Sequence, residues 1–512
     1  MSQQRSVGVA RRLVMTLLAH GVTDAVLAPG SRSGPLALAL HAADAQGLIR
    51  LHVRVDEREA GFLALGLAKA QDRVVPVVTT SGTAVANLHP ALLEALHARV
   101  PVLAVTADRP ARLRGTGANQ TTVQPGIFPG VPFTDRVKGL LAALGPGGPA
   151  HLNLELDEPL VEPVEWDFPA AAVVGFAYAP EGVVTLSPGP RTVVVAGDGA
   201  RHDLGVLARD AHWPVLAEPS SGLRDAPTAI ACGRVVAAGP LAADVERIVS
   251  TGHATLSRPV TSLLARTDVP IVHLGDASTF PVPAGDNVTF SEEVAVTGPD
   301  DPQWLRRWIR SGDEIMSELP GADPYVVARA VWQAARGGLL VLGSSNPIRD
   351  VDLAAPVRSR APRVLANRGL AGIDGTVSTA VGAALAGVGR AIALMGDLTF
   401  LHGANGLLIG PDEPRPDLTI VVLNDDGGGI FHGLEQGAPQ YADAFERVYG
   451  TPTGARIDLL CAAHGISHRE VAADELASAL ETAPDGPEVV EVPVSRTDRR
   501  LLATMVRPQQ GR

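Results

Sequence analysis

Ala391-Ile-Ala-Leu-Met-Gly-Asp397 and, one helix-length later, Leu418-Thr-Ile-Val-Val-Leu-Asn-Asp-Asp-Gly-Gly-Gly-Ile-Phe431 share one design, an apolar run that ends in carboxylates beside glycine. Runs without polar alternation are the pattern of strands covered on both faces, and such strands belong to parallel α/β sheets. The residues between them predict a small-residue crossover helix from His402 to Ile409. Parallel strands joined this way bring both carboxyl ends, and so Asp397 and Asp425, to one edge of the sheet. Glycines there let backbone approach a ligand closely. Two hard oxygen donors in that setting suit a Mg²⁺ (or Mn²⁺) ion that carries a diphosphate.

A Gly-Asp-Gly at 197–199 follows the apolar strand Val193–Ala196 and copies the first half of this pattern. The second half does not match. Ser-Ser-Gly-Leu-Arg precedes Asp225 where a strand is needed, and Ala-Pro follows where glycines are needed. This site reads as a Rossmann-like turn in a different domain.

The same rhythm of strand, polar turn and helix extends outward from the acid pair. Leu339–Leu342 leads into Gly343-Ser-Ser-Asn-Pro-Ile-Arg349, and Asn367-Arg-Gly-Leu-Ala-Gly-Ile-Asp-Gly375 precedes Ala391. At the other end, a helix over 6–20 closes at Gly21, and a strand over 24–28 delivers Pro29-Gly-Ser-Arg-Ser33. A strand over 49–53 leads to Asp56-Glu-Arg58, which opens a helix. Strands over 74–79 and 101–106 release Thr80-Ser-Gly-Thr83 and Ala107-Asp-Arg-Pro110, and 150–156 closes the series. Polar, glycine-punctuated 115–126 reads as a loop over that edge. Residues 157–190, with several Pro and Gly, read as a linker. A further unit has strands at 193–196, 214–217 and 270–274 and a last helix from Trp304 to Ile309. The fold class is therefore α/β, with three consecutive domains built on central, mostly parallel sheets over 1–180, 188–315 and 322–512.

Composition narrows the functions. A chain of 512 residues exceeds a single core, and 46% hydrophobic with 19% charged residues is globular. The net charge of −12 argues against nucleic acid or an anionic membrane surface as partner. Cys232 and Cys461 lack metal-ligand spacing and fit a reducing cytoplasm without a disulfide. No run approaches the roughly 20 apolar residues of a bilayer span, and the N-terminal segment reads as an amphipathic helix; no membrane insertion is expected.

Gly396-Asp397 with Asn424-Asp425 resembles the diphosphate motif of thiamine-diphosphate enzymes. In that family the first Asp, the second residue of an Asn pair and a carbonyl two positions on hold the metal. Carried over, these are Asp397, Asp425 and Gly427, with Gly396 and Asn424 beside the diphosphate. Leu398 stands where glycine is usual and Asp425 where the second Asn is usual, so Asn424 remains an alternative ligand. Three α/β units with a glutamate opening the second helix of the first resemble the pyruvate-oxidase type. Within that type, Pro29-Gly-Ser-Arg-Ser33, Asp56-Glu-Arg58, Ala107-Asp-Arg-Pro110, Gly117-Ala-Asn-Gln120, Asn367-Arg-Gly369 and Gly372-Ile-Asp-Gly375 are similar to the menaquinone-biosynthetic branch. In the central unit Thr255-Leu-Ser-Arg-Pro259 is the recognisable piece.

The resemblance implies thiamine diphosphate with Mg²⁺ or Mn²⁺, decarboxylation of 2-oxoglutarate, and addition of the resulting succinyl-semialdehyde unit to isochorismate. It implies a homodimer or a dimer of dimers, with the cofactor bridging the first unit of one subunit and the third of another. Glu57 is implied to activate the aminopyrimidine ring, with Ile373, Ile430 and Phe431 as apolar supports of the cofactor. Ser31, Arg32, Arg109, Asn119, Gln120 and Arg258 are implied for the acceptor, and Ser345, Arg349 and Arg368 for the donor's distal carboxylate. Without the resemblance, Arg349 and Arg368 read as surface arginines neutralising Asp350, Asp352 or Asp374. Two alternatives remain: a carboligase or decarboxylase with a smaller donor, such as an acetolactate synthase, and an inert scaffold or sensor. Retention of Glu57, Asp397 and Asp425 together argues against the inert protein.

Overall fold

The computed structural model describes residues 6–144, 147–169, 182–387, 389–496 and 498–505. Three parallel sheets carry the fold. The first has the order Arg50–Val53, Asp24–Leu27, Val75–Thr79, Val102–Asp108, Ala150–Glu155, Phe133–Thr134. The second has Val288–Ser291, Ile271–Leu274, Arg247–Thr251, Thr192–Ala196, Val215–Ala217. The third has Arg363–Ala366, Leu339–Leu342, Ala391–Gly396, Leu418–Asn424, Glu488–Pro493, Ser467–Glu470. Every ladder within them is parallel.

The apolar runs explain this arrangement. Val193–Val195, Leu339–Val341, Ile392–Leu394 and Ile420–Val422 are fully buried, so each strand needs cover on both faces. Burying each Val, Leu or Ile contributes about 1.5–3 kcal/mol. Arg247–Thr251 lies at the middle of the second sheet although its sequence, Arg-Ile-Val-Ser-Thr, alternates poorly. Its polar side chains find partners inside the protein: Arg247 Nε donates to Thr192 Oγ1 at 2.9 Å, and Ser250 Oγ lies 2.8 Å from His273 Nδ1.

Three expectations need correction. The crossover helix begins at Asp397 itself, runs to His402, and is followed by a 3₁₀ turn at Ala404–Leu407 rather than spanning 402–409. A carboxylate in the first turn suits the positive end of a helix, which favours this earlier start. The stretch 157–190 is not all linker, because Val183–Leu186 pairs with Glu293–Val296 in a small parallel sheet; residues 170–181 of it lie outside the described residues. The helix placed at 304–309 spans Pro302–Ser317. Asp301 caps the Gln303 amide and Pro302 opens the first turn, while Trp304 and Trp308 are buried one turn apart.

The chain forms two compact units. One comprises Met1–Tyr178, Gly369–Val388 and His402–Pro416; the other comprises Ala179–Arg368, Gly389–Leu401 and Asp417–Arg512. In the first unit the helix Thr376–Leu385, nearly all small residues and buried, packs on Glu57–Gln71. There the Ser378 hydroxyl donates to Glu59 Oε2 at 2.5 Å. Within the first sheet, the strand after Asp24–Leu27 joins one side and the next joins the other. Such a reversal opens a crevice at the strands' carboxyl ends. The third sheet reverses in the same way between Leu339–Leu342 and Ala391–Gly396, so Gly343–Ser345 and Asp397 flank its crevice.

Candidate active site

In the second unit the ladder pairs Gly396 with Leu423, which sets Asp397 and Asn424 at adjacent strand ends with Asp425 one residue beyond. Burial pushes the Asp397 carboxyl up to about 7, and the charge of Asp425 adds to this against backbone hydrogen bonds from Leu398 and Gly427. Burial likewise raises Asp425 to about 6, partly offset by Arg499 and Arg496. Asp397 Oδ2 is buried without a hydrogen-bond partner among the described residues. A buried and a half-buried carboxylate, both with raised pKa values and one with an orphaned oxygen, fit a hard divalent cation. The Asn424 side chain is engaged elsewhere: its amide donates to Glu491 Oε1 at 2.6 Å and its oxygen accepts from the Asp426 amide at 2.9 Å. Gly427 has a φ of 138°, which a side chain rarely tolerates. A Cβ on Gly429 would collide with Asp425 Oδ2, so glycine there lets the carboxylate lie against the backbone.

The predicted donor residues gather in the same unit. Ser345 begins the helix Asn346–Ala354 with φ 76° and ψ −136°, and its carbonyl accepts from Arg349 Nη1 at 2.6 Å. Burial depresses the Arg349 pKa, and nearby Arg234 and Arg368 add to the effect. Arg368 is 3% exposed; its Nη2 donates to Thr255 Oγ1 at 3.0 Å and its Nε has no partner among the described residues. The neighbouring carboxylates are taken by other arginines. Asp350 accepts two 2.8 Å bonds from Arg499 Nη1, and Asp352 faces Arg224 at 3.4 Å and Arg234 at 3.3 Å. Among the described residues neither Arg349 nor Arg368 makes an ion pair with Asp350, Asp352 or Asp374, although the charges of Asp352 and Asp350 partly offset the depression at Arg349. A cavity of about 470 Å³ brings Arg349 and Ile430 together with Arg234, Tyr325 and Arg499. Arg258 also reaches that cavity, but its side chain is 80% exposed and pairs with Glu435 at 3.0 Å. Phe431 is half-buried against Tyr449, with ring centres 5.6 Å apart.

In the first unit Asp56, not Glu57, caps the helix Glu57–Gln71, accepting from the Arg58 and Glu59 amides. That leaves the half-buried Glu57 carboxylate off the cap, with the Asn87 amide 3.4 Å from its Oε2. Ile373 is half-buried in the same unit. Ser31 is exposed on its turn, and the buried Arg32 donates to the Leu156 carbonyl at 3.1 Å. Burial lowers the Arg32 pKa, and the Arg109 charge lowers it further. Arg109 grips Asn119 through its carbonyl at 3.1 Å and its side-chain oxygen at 2.8 Å. Gln120 is exposed with φ 53°, and its carbonyl accepts from Ser81 Oγ at 2.8 Å.

Beneath that loop lies Gln124, which the motif reading passed over. It is fully buried, donates to the Ala107 carbonyl at 3.1 Å and to Asn153 Oδ1 at 2.7 Å, and accepts from the Gly82 amide at 3.0 Å. A buried glutamine whose amide donates twice and whose oxygen accepts is a strut that fixes the loop to two strands. Arg234, Arg499 and Asn87 were also missed. Their positions in sequence carry no motif, and only packing brings them to these groups.

Three parallel sheets with an acid pair at the third sheet's crevice define a thiamine pyrophosphate enzyme. The family's N-terminal TPP binding domain matches residues 8–127 and its C-terminal TPP binding domain matches residues 352–492. Benzoylformate decarboxylase from Polynucleobacter necessarius shares the fold, with a TM-score of 0.69 and 17% identity over 96% of this chain and 99% of that one. A 2-succinyl-5-enolpyruvyl-6-hydroxy-3-cyclohexene-1-carboxylate synthase of Nocardioides sp. is 50% identical over 98% of both chains, and that of Nocardia farcinica is 45% identical over the same shares. The chain belongs to the 2-succinyl-5-enolpyruvyl-6-hydroxy-3-cyclohexene-1-carboxylate synthase family.

Proposed function

We propose that this chain decarboxylates 2-oxoglutarate and adds the succinyl-semialdehyde unit to isochorismate, releasing CO₂, as a cytoplasmic step of menaquinone biosynthesis. The observation that carries the reading is the pair of the half-buried Arg349 and the buried Arg368, neither of which makes an ion pair among the described residues. A buried guanidinium without a counter-ion is costly, and the distal carboxylate of 2-oxoglutarate supplies one where pyruvate cannot. Ser345 assists from the turn that orients Arg349.

When bound, thiamine diphosphate supplies the electron sink for decarboxylation. Asp397, Asp425 and the Gly427 carbonyl hold Mg²⁺ (or Mn²⁺); Asp425 is favoured over Asn424 because the Asn424 side-chain oxygen accepts from the Asp426 amide. Gly396 leaves room for the diphosphate, and Ile373, Ile430 and Phe431 give the cofactor apolar support. Glu57, free of the helix cap, holds or passes a proton at the aminopyrimidine. Arg32 and Arg109, two cations in mutual range without an ion pair among the described residues, receive the acceptor's carboxylates. Ser31, Asn119 and Gln120 orient its hydroxyl, and Arg258 joins them only by leaving Glu435. The domains at 1–180, 188–315 and 322–512 are assigned to the pyrimidine, a Rossmann-like middle and the diphosphate. Two subunits complete each site, as a homodimer or a dimer of dimers.

Incubation with thiamine diphosphate, Mg²⁺, 2-oxoglutarate and isochorismate, followed by mass spectrometry, should yield 2-succinyl-5-enolpyruvyl-6-hydroxy-3-cyclohexene-1-carboxylate and CO₂. Equal turnover of pyruvate would move the assignment to a smaller-donor carboligase.

A further inference from the structure

Arg368 lies two residues past the edge strand Arg363–Ala366 of the third sheet, yet its side chain is held by Thr255, in the segment that follows the central strand Arg247–Thr251 of the second. The 3₁₀ turn Pro219–Ser221, at the end of Val215–Ala217, packs against Arg363–Ala366. Just before that turn Glu218 is 6% exposed, and its Oε1 accepts from the Leu256 amide at 2.7 Å. Leu256 adjoins Thr255, whose Oγ1 accepts from Arg368 Nη2 at 3.0 Å. Two consecutive residues thus carry a tether from a buried carboxyl to a guanidinium. The chain at Arg368 is held as well, since His253 Nδ1 lies 3.2 Å from its carbonyl.

A carboxylate in full charge so near Arg368 would compete with any anionic ligand for it. Burial instead raises the Glu218 carboxyl to about 8. It therefore orients the guanidinium at neutral pH without neutralising it, and Thr255 serves as the neutral intermediary.

We propose that Glu218 and Thr255 position the Arg368 guanidinium for the distal carboxylate of the donor, so that part of the donor selectivity is set by the central sheet. This rests on the reading of Arg368 as a donor-binding residue. Glu218 and Thr255 are positioning residues, because neither is required to touch the substrate. The balance of the reaction is unaffected; only the placement of one charge depends on them.

The test compares holoenzyme variants on 2-oxoglutarate and on pyruvate, with thermal midpoints measured alongside. Thr255→Val removes the acceptor hydroxyl and Thr255→Ser keeps it; Glu218→Leu removes the tether and Glu218→Gln keeps its acceptor oxygen. Thr255→Val and Glu218→Leu should raise the KM for 2-oxoglutarate about tenfold to a hundredfold with kcat within about threefold, the loss of one hydrogen bond to a charged group. The pyruvate reaction should change by less than about threefold, and Thr255→Ser and Glu218→Gln should stay near the wild type. Arg368→Ala serves as the reference. If Arg368→Ala discriminates between the donors but Thr255→Val does not, the positioning role is wrong and the donor reading stands. If Arg368→Ala weakens both donors equally, the donor reading itself fails. Should Glu218→Leu not fold, the Thr255→Val and Thr255→Ser pair decides alone: equal KM values in those two variants overturn the proposal.

Discussion

Ser345 holds φ 76° and ψ −136°, almost the conformation of Gly82 (φ 81°, ψ −134°), which precedes a helix of the first unit. Serine in that region costs on the order of 1–3 kcal/mol, so something must favour its hydroxyl over glycine. Ser345→Gly should stabilise the apoprotein by about 1 kcal/mol by calorimetry while raising the KM for 2-oxoglutarate. An unchanged KM would remove Ser345 from the donor site. Arg349→Ala and Arg368→Ala should each lower kcat/KM for 2-oxoglutarate about tenfold to a thousandfold, with little effect on pyruvate. Glu218 gives a pH prediction. Its carboxyl in the folded protein keeps a proton up to about 8, whereas the unfolded chain loses it near the ordinary glutamate value of 4.5. Folding therefore binds a proton between these values, and stability falls as pH rises from about 5 to about 8. Glu218→Gln should flatten that part of the curve of thermal midpoint against pH. Equal slopes in both proteins would show that Glu218 ionises normally.

Among elements, the apolar strands were the most legible. Ala391–Gly396 and Leu418–Asn424 follow the runs that predict them, because strands covered on both faces leave no polar position to confuse the pattern. Strands whose buried polar groups pair internally, such as Arg247–Thr251, were not legible, since their partners lie on other strands. Loop 115–126 was recognised as a loop, but its anchor was not: Gln124 looks like any loop glutamine until Ala107, Asn153 and Gly82 surround it. Gln124→Leu should slow addition to isochorismate by about tenfold or more while leaving CO₂ release from 2-oxoglutarate largely intact, as expected when one buried anchor of a positioning loop is lost. Parallel loss of both steps, with a lowered thermal midpoint, would reduce Gln124 to a support of the sheet.

For the whole molecule, the proposal that two subunits complete each site makes a distinctive prediction. Glu57→Gln and Asp397→Ala subunits should each be inactive alone, yet mixed and allowed to exchange they should recover about a quarter of wild-type activity, since half the dimers then carry one intact site. No recovery, with exchange verified by mass spectrometry, would place Glu57 and Asp397 of one chain in the same site. Much of this protein could be read from its residues in order. Apolar runs, the glycines after them and the acids at their ends are local properties, and the right-handed crossover rule turns them into a shared sheet edge. Which charges remain available for a substrate was decided by tertiary structure alone. Arg349 and Asp350 are adjacent in sequence, but successive positions on a helix do not face each other. Asp350 meets Arg499 from the C-terminal helix, and Asp352 meets Arg224 and Arg234 from the central segment. Arg349 is left without a counter-ion among the described residues because those partners, remote in sequence, reach its neighbouring acids first.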